Sequence, residues 1–245
     1  MVVIIIMINT DLPIYSLIIL IAFLLNILVI CFIAYTKDRF NYSLIYLLIF
    51  EHIGMIFGAK LYSFLSSPAK YNYQFDIFRV GFSSIGAVIG IIIMSFIYIK
   101  LFKSNIKEII EIFMCSLPLV YSIGKIACFL TGCCYGIEYN GPFSITYLYS
   151  SNNINGISLF PVQLLEAIVF FILFILSYNI VIKDKINNKS VGIFIITISI
   201  SKFILDFLRH THIQNLISFN QIMCIPFILL GIILIVLKKE YINVK

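Results

Sequence analysis

Seven long apolar runs dominate the chain, each separated from the next by a short polar stretch. They cover Ile14 to Tyr35, Ser43 to Leu65, Gly81 to Phe102, Glu111 to Gly132, Pro161 to Ile182, Val191 to Leu208 and Ser218 to Leu237. Each is near the ~20 residues that cross a hydrocarbon core. Backbone N–H and C=O groups in lipid have to be satisfied within their own segment, so each run predicts a helix. The fold expected is an all-α, polytopic integral membrane bundle of about seven transmembrane helices, built as a single domain over residues 1–245. The apolar residues Val2 to Met7 precede Asp11 and Pro13 and are too few to span. No small-residue cleavage site follows the first run, so a signal peptide is not expected.

Composition sharpens this picture. Apolar residues make up 62% of the chain and charged ones 11%, against about 25% charged in a soluble domain. That excludes a soluble globular protein and a disordered one. The formal charge of +6 comes without a basic stripe or a stacking platform, so nucleic acid is not an expected partner. Loop placement accounts for the charge instead. With the N-terminus outside, the inner segments hold Lys37, Arg39, Lys100, Lys103, Lys107, Lys183, Lys185, Lys189, Lys238, Lys239 and Lys245, eleven in all. The outer segments hold only Lys70, Arg79 and Arg209. The positive-inside rule then puts the C-terminus inside.

Three basic residues remain, Lys60, Lys125 and Lys202, and all fall inside predicted helices together with Glu51, Glu166 and Asp206. An ionised group at mid-bilayer costs roughly 2.5–3.5 kcal/mol, so such groups pair, neutralise or line a polar cavity. Lys202, Asp206 and Arg209 are spaced i, i+4 and i+7 and share one helix face, with Lys202 and Asp206 a plausible buried pair. Gln163 and Glu166 share a face of the fifth run, and Lys125, Cys128 and Gly132 a face of the fourth. Small-xxx-small pairs at Gly54 and Gly58, Gly86 and Gly90, and Gly132 and Gly136 predict close helix packing.

Six cysteines are present. Cys31, Cys115 and Cys224 sit alone in apolar runs and read as core. Cys128, Cys133 and Cys134 cluster near the outer end of the fourth run, but a CC pair without CxxC or a nearby His pair is a weak metal signal, and no metal is expected. His210 and His212 read as solvated loop residues, whereas His52 beside Glu51 is costly in lipid.

The stretch Gly124-Lys125-Ile126-Ala127-Cys128-Phe129-Leu130-Thr131-Gly132-Cys133-Cys134-Tyr135-Gly136 resembles the signature of the prolipoprotein diacylglyceryl transferases, roughly G-R-x-G-N-F-x-N-G-E-x-x-G. Further blocks follow in the family's order. Tyr15 opens the first helix where the family has an important Tyr. Gly58-Ala59-Lys60-Leu61 looks like G-A-R-L, and Gly81 to Ala87, with Ser83, sits where the family has a block ending H-G-G. Pro161-Val162-Gln163-Leu164-Leu165-Glu166 looks like P-S-Q-L-Y-E, and Lys202 to Arg209 looks like R-F-x-x-E-x-x-R. Ser218 and Gln221 also fit. The family's His falls on Ile85, its two Asn on Cys128 and Thr131, its Glu on Cys133, and three of its Arg on Lys60, Lys125 and Lys202.

The resemblance implies a multi-pass enzyme of the bacterial plasma membrane that moves a diacylglyceryl group from phosphatidylglycerol to the lipobox cysteine thiol of a preprolipoprotein. It implies catalytic roles for Lys125, Lys202, Asp206 and Tyr15. Substrate binding would fall to Gln163, Glu166, Arg209, Gly136, Ser83 and Lys60. Partners would be phosphatidylglycerol, the preprolipoprotein signal peptide and membrane lipid, with no cofactor. The substitution at Ile85 keeps two other readings in view: a transferase of the same lipid group to another acceptor, and a non-catalytic phospholipid-binding membrane protein. Among intramembrane residues outside the matched blocks, only Glu51 and His52 offer another base. Leu130-Thr131-Gly132-Cys133 itself matches a lipobox, but lies mid-chain and reads as a chance match.

Overall fold

A computed structural model describes residues 4–6, 14–66, 68–76, 80–150, 154–210 and 216–236. Arg79, Lys238, Lys239, Lys245 and His212 lie outside the described residues. Among the described residues, seven helices are long and apolar enough to cross a membrane: α1 (Ile14–Thr36), α2 (Tyr42–Ser66), α3 (Ser84–Phe102), α4 (Ile106–Thr131), α5 (Val162–Ile182), α6 (Asn188–Asp206) and α7 (Phe219–Val236). Each lies where an apolar run predicts it. Their outward faces are those of lipid-embedded helices: α1 exposes Leu17, Leu20, Leu24 and Leu28 along one side.

Three helix starts differ from the hydropathy pattern by three residues or more: α4 begins at Ile106 rather than Glu111, and polar side chains decide the other two. Helix α3 starts at Ser84 rather than Gly81, because Ser83 takes the N-cap position and its hydroxyl accepts from the Gly86 N–H. Helix α6 starts at Asn188, capped by a reciprocal pair between Asn187 and Ser190. It ends at Asp206, so Arg209 stands in the turn beyond it and not on the helix.

Hydropathy gave no hint of strands, yet a small mixed sheet joins the helices. β1 (Ile4–Ile6) pairs in parallel with β2 (Ile145–Tyr147), with Ile4 opposite Ile145. β2 pairs antiparallel with β3 (Ser158–Leu159). The buried side chains of Ile145, Tyr147, Ile154 and Leu159 form a core under this sheet. The apolar residues near the N-terminus, too few to span, therefore supply its edge strand.

The chain forms two compact units. One comprises Met1–Ile30 and Ile112–Glu240; the other contains Cys31–Glu111. In the second unit α2 and α3 pack through glycines. A Cβ on Gly54 would sit 2.6 Å from the Gly90 carbonyl oxygen, and one on Gly58 would collide with that of Gly86. The two small-xxx-small pairs thus face each other, as expected for close backbone approach in lipid. In the first unit α6 and α7 meet in the same way at Gly192 and Gly231, where an added Cβ would lie 2.6 Å from the facing carbonyl.

Candidate functional site

The first unit gathers its buried charges around one carboxylate. Glu166, in the second turn of α5, is fully buried. Its Oε2 lies 2.8 Å from Lys125 Nζ of α4, and its Oε1 lies 2.9 Å from Lys202 Nζ of α6. Arg209 Nη2 donates to both oxygens, at 2.9 and 2.8 Å. Three cations from three elements therefore converge on a single acid. A buried carboxylate is tolerated only when its charge is compensated and its lone pairs are filled, and here both conditions hold.

Asp206 supports this arrangement from behind. Its Oδ1 is 3.5 Å from Lys202 Nζ and 3.5 Å from Arg209 Nε, and it accepts from Asn220 Nδ2 at 3.3 Å. Its other oxygen accepts from the Ser218 hydroxyl. Ser218 is fixed in turn, because its oxygen accepts from Gln221 N–H at 3.2 Å while the Gln221 side chain accepts from Ser218 N–H at 2.9 Å. The expected pair of Lys202 with Asp206 is present, but Glu166 makes the shorter contact with Lys202. The cluster holds three cations against two carboxylates, which leaves one positive charge in a largely dry region.

Tyr121 belongs to the same cluster, although hydropathy and charge do not single it out. Its ring lies 5.0 Å below Lys125 Nζ and 5.4 Å below Lys202 Nζ, and its hydroxyl is 3.4 Å from Glu166 Oε1. The ring faces add attraction for both ammonium groups. The signal was its spacing: Tyr121, Lys125 and Cys128 fall at i, i+4 and i+7 on one face.

Gly136 acts through its backbone. It bridges to Arg209, with Ile137 N–H bonded to Leu208 O at 3.0 Å and His210 N–H to Tyr135 O at 3.3 Å. A Cβ on Gly136 would strike the Phe160 carbonyl and lie 3.1 Å from that of Leu208. Glycine is thus needed where the loop presses on the segment carrying Arg209. His210, read from sequence as solvated, is half-buried, with its ring 4.9 Å from that of Tyr135.

Gln163 ties α5 to the loop after α4, donating from Nε2 to Cys133 O at 3.0 Å. Its Oε1 is buried without a hydrogen-bond partner among the described residues. Tyr15, in the first turn of α1, lies within electrostatic reach of Lys125 and of Cys128, Cys133 and Cys134. The sulfurs of those three cysteines all lie within 4.8 Å of one another, with Cys128 buried, Cys133 half-buried and Cys134 exposed. Hydrogen bonding from Cys128 and Cys133, helped by the charges of Lys125 and Arg209, holds the Cys134 thiol well below the ordinary thiol range.

Lys60 and Ser83 lie in the second unit and make a local clamp there. Lys60 Nζ donates to Val80 O at 2.9 Å, and Ser83 N–H donates to Ala59 O at 3.2 Å. Ile85 follows in the first turn of α3. Of the two other intramembrane base candidates, His52 Nδ1 pairs with Leu48 O at 2.8 Å, and Glu51 is buried with Oε1 lacking a hydrogen-bond partner.

Comparison with known proteins identifies the family. The family described as prolipoprotein diacylglyceryl transferase matches residues 2–237. The phosphatidylglycerol–prolipoprotein diacylglyceryl transferase of Rickettsia bellii (strain OSU 85-389) is 29% identical over 196 residues, covering 75% of this chain and 74% of that protein. That of Rickettsia typhi (strain ATCC VR-144 / Wilmington) is 32% identical over 199 residues, with the same coverage of 75% and 74%. Phosphatidylglycerol–prolipoprotein diacylglyceryl transferase 2 of Clostridium perfringens (strain 13 / Type A) is 33% identical over 162 residues, covering 64% and 62%. The chain belongs to the prolipoprotein diacylglyceryl transferase family.

Proposed function

We propose that this member of the prolipoprotein diacylglyceryl transferase family moves a diacylglyceryl group from phosphatidylglycerol to the cysteine thiol of a prolipoprotein. The observation that carries the reading is the Glu166 cluster, in which buried Lys125 and Arg209 and half-buried Lys202 converge with one positive charge in excess of the acids. A phosphodiester headgroup brings the missing negative charge, and the reaction turns it into a doubly charged glycerol phosphate. Fixed cations stabilise charge that grows towards the transition state more than charge already present, and most strongly where water is excluded.

The roles follow from position. Lys125 and Lys202 take the phosphate oxygens, and Arg209 offers its planar fork to the same group. Glu166 and Asp206 hold the cations apart and in place until the lipid arrives. Gln163 Oε1 is an acceptor for a headgroup hydroxyl. Tyr15 donates from the first turn of α1 to a phosphate oxygen. Gly136 sets the path of the Arg209 segment, while Ser83 and Lys60 shape the loop ahead of α3 for the lipid. The thiol's carbon partner is the terminal glyceryl carbon, and glycerol phosphate departs with the C–O electron pair.

The chain acts as a multi-pass protein of the bacterial plasma membrane with its N-terminus outside. The eleven-to-three split of loop Lys and Arg supports this orientation. A cysteine probe in the 137–160 loop is then labelled from outside intact cells; labelling only after permeabilisation reverses the orientation. The direct test of function is to incubate purified protein with labelled phosphatidylglycerol and a lipobox peptide. A thioether product with release of glycerol phosphate is expected. Lipid binding without that product would leave the phospholipid-binding alternative as the better account.

A further inference from the structure

Thiol alkylation needs a thiolate, since the protonated sulfur is a poor nucleophile. Both carboxylates of the cluster, Glu166 and Asp206, are held in ion pairs, so neither stands ready as a base. The last turn of α4 and the loop after it carry three sulfurs, and the backbone explains how they meet. Helix α4 ends in a Schellman turn: Cys133 N–H bonds to Cys128 O at 3.1 Å and Gly132 N–H to Phe129 O at 3.4 Å, with Gly132 at φ +67°. That turn folds the second residue past the helix end back over the last turn, which brings Cys133 to Cys128. Cys134 then adopts φ +53°, a left-handed conformation rare outside glycine, and turns its own sulfur to the same point.

The spacing of the sulfurs fits a metal. Four-coordinate zinc with Zn–S bonds of about 2.3 Å separates its sulfurs by about 3.8 Å. Cys128 Sγ and Cys134 Sγ are 3.9 Å apart, and all three sulfurs lie within 4.8 Å of one another. The charge also fits. Three thiolates and a divalent ion sum to one negative charge, and Lys125 stands one turn from Cys128 on α4. Cys128 is buried, Cys133 half-buried and Cys134 an exposed residue, so the triangle lies at the border of the packed interior. Three protein ligands with an open fourth position is the arrangement of catalytic rather than structural zinc, and a thiol that coordinates the ion is deprotonated.

We infer that Cys128, Cys133 and Cys134 bind a thiophilic divalent metal ion, zinc(II), whose fourth position takes the sulfur of the acceptor cysteine. The inference rests on the transferase reading above. The acceptor thiol binds through sulfur and gives its proton to water. A sulfur electron pair forms the S–C bond to the terminal glyceryl carbon of phosphatidylglycerol. The C–O bond to phosphorus breaks, and its pair leaves with glycerol phosphate. A thiolate and a phosphodiester, each singly negative, become a neutral thioether and a doubly negative phosphomonoester. The zinc keeps its valence. The thioether is the weaker ligand and gives way to the next thiol.

The test uses full-length protein in detergent, dialysed with zinc(II) and then washed free of loose metal. About one zinc per chain is expected, lost in Cys134→Ser and kept in Cys31→Ser. Cobalt(II) in place of zinc should give thiolate-to-metal charge-transfer absorption and the visible bands of a tetrahedral site. A lipobox peptide should alter those bands, and the same peptide with Ser for Cys should not. Absence of stoichiometric zinc, or equal zinc in Cys134→Ser and wild type, overturns the site. Bands unmoved by the thiol peptide overturn the open position. Full transfer by stripped protein in a chelator overturns the role of the metal and leaves the transferase reading intact. Zinc and thiol binding with no thioether product retains the site and removes that reading instead. His210 lies next to Arg209 as a rival base, so His210→Gln is expected to keep both zinc and transfer; loss of transfer with zinc retained would assign the proton to the imidazole and overturn the proposal.

Discussion

Glu166 and Glu111 are both buried acids facing basic side chains, and they are built to different ends. Glu111, in the second turn of α4, meets Arg39 Nη1 at 2.8 Å and Lys37 Nζ at 3.8 Å. Both cations come from the short segment after α1; the Arg39 side chain, which makes the close contact, is 32% exposed, and the Lys37 side chain, at the longer distance, 8%. Glu108 also lies within reach of the Arg39 charge, so two acids meet two bases. Glu166 takes its cations from three separate elements, and their side chains are only 8–13% exposed. Here the bases outnumber the acids by three to two. A long basic side chain that reaches water loses little of its hydration and gains little from its pair. One that cannot reach water needs compensation, and an excess left there is a standing attraction for an anion. The first cluster ties the segment after α1 to α4; the second has the charge balance expected of the phosphate seat proposed above.

The largest effect expected from breaking this contrast is in Glu166→Gln. It removes the one acid shared by three buried cations, and stranding buried charge typically costs ~3–5 kcal/mol. Thermal denaturation in detergent should show a marked fall in Tm, and thioether formation should fall below detection. A variant as stable and active as wild type would show that the cations are not balanced by this carboxylate.

Next comes Lys125. Lys125→Ala removes a fixed cation from the developing phosphate charge, and loss of one such group costs about 10²–10³-fold in rate. Lys125→Arg should keep or raise the rate, since a guanidinium gives two parallel donors to phosphate. Rates measured under saturating phosphatidylglycerol separate the variants. Equal rates for wild type and Lys125→Ala would move the phosphate elsewhere.

Gly136→Ala tests the backbone clamp. The added methyl meets the Phe160 carbonyl, so the loop must shift and carry Arg209 with it. A displacement of about 1 Å at a positioned group can cost up to about 10²-fold. A rate loss larger than the fall in Tm is the expected result; an unchanged rate would mean that Arg209 does not depend on this contact.

The contrast between the clusters also marks what the sequence could disclose. All seven helices were legible, because a 20-residue apolar run has one solution in lipid. Lys125, Glu166, Lys202 and Asp206 stood out because charge is rare and costly there. Distance could not be read from spacing: Lys202 looked bound to its own-helix neighbour Asp206, while the nearer partner is Glu166, 36 residues away. The three-stranded sheet was hidden, since Ile4–Ile6, Ile145–Tyr147 and Ser158–Leu159 are two or three residues each and pair across long separations. The cysteine triangle was hidden for another reason. Its C-x4-C-C spacing matches no familiar ligand pattern, and only the Schellman turn and the left-handed Cys134 close it.

The smallest effect is expected at Glu111, and it is the one that decides whether the contrast holds. Glu111→Gln leaves Arg39 and Lys37 without their buried acid. Yet Arg39, which makes the close contact, already reaches water, Lys37 stands 3.8 Å off, beyond hydrogen-bond length, and Glu108 stays within reach of the guanidinium. The lost pair should therefore cost about 1 kcal/mol or less, the range of ion pairs with a solvated partner, and Tm should shift by only a few degrees. Transfer rate should be unchanged, because no substrate group is assigned to this cluster. The same amide substitution at Glu166 removes the same charge and keeps the side-chain volume, so the pair of variants isolates environment from chemistry. If Glu111→Gln lowered Tm as far as Glu166→Gln, the charge balance at the loop after α1 would be as indispensable as that at Glu166. Exposure of Arg39 would then be no guide to which buried acid matters.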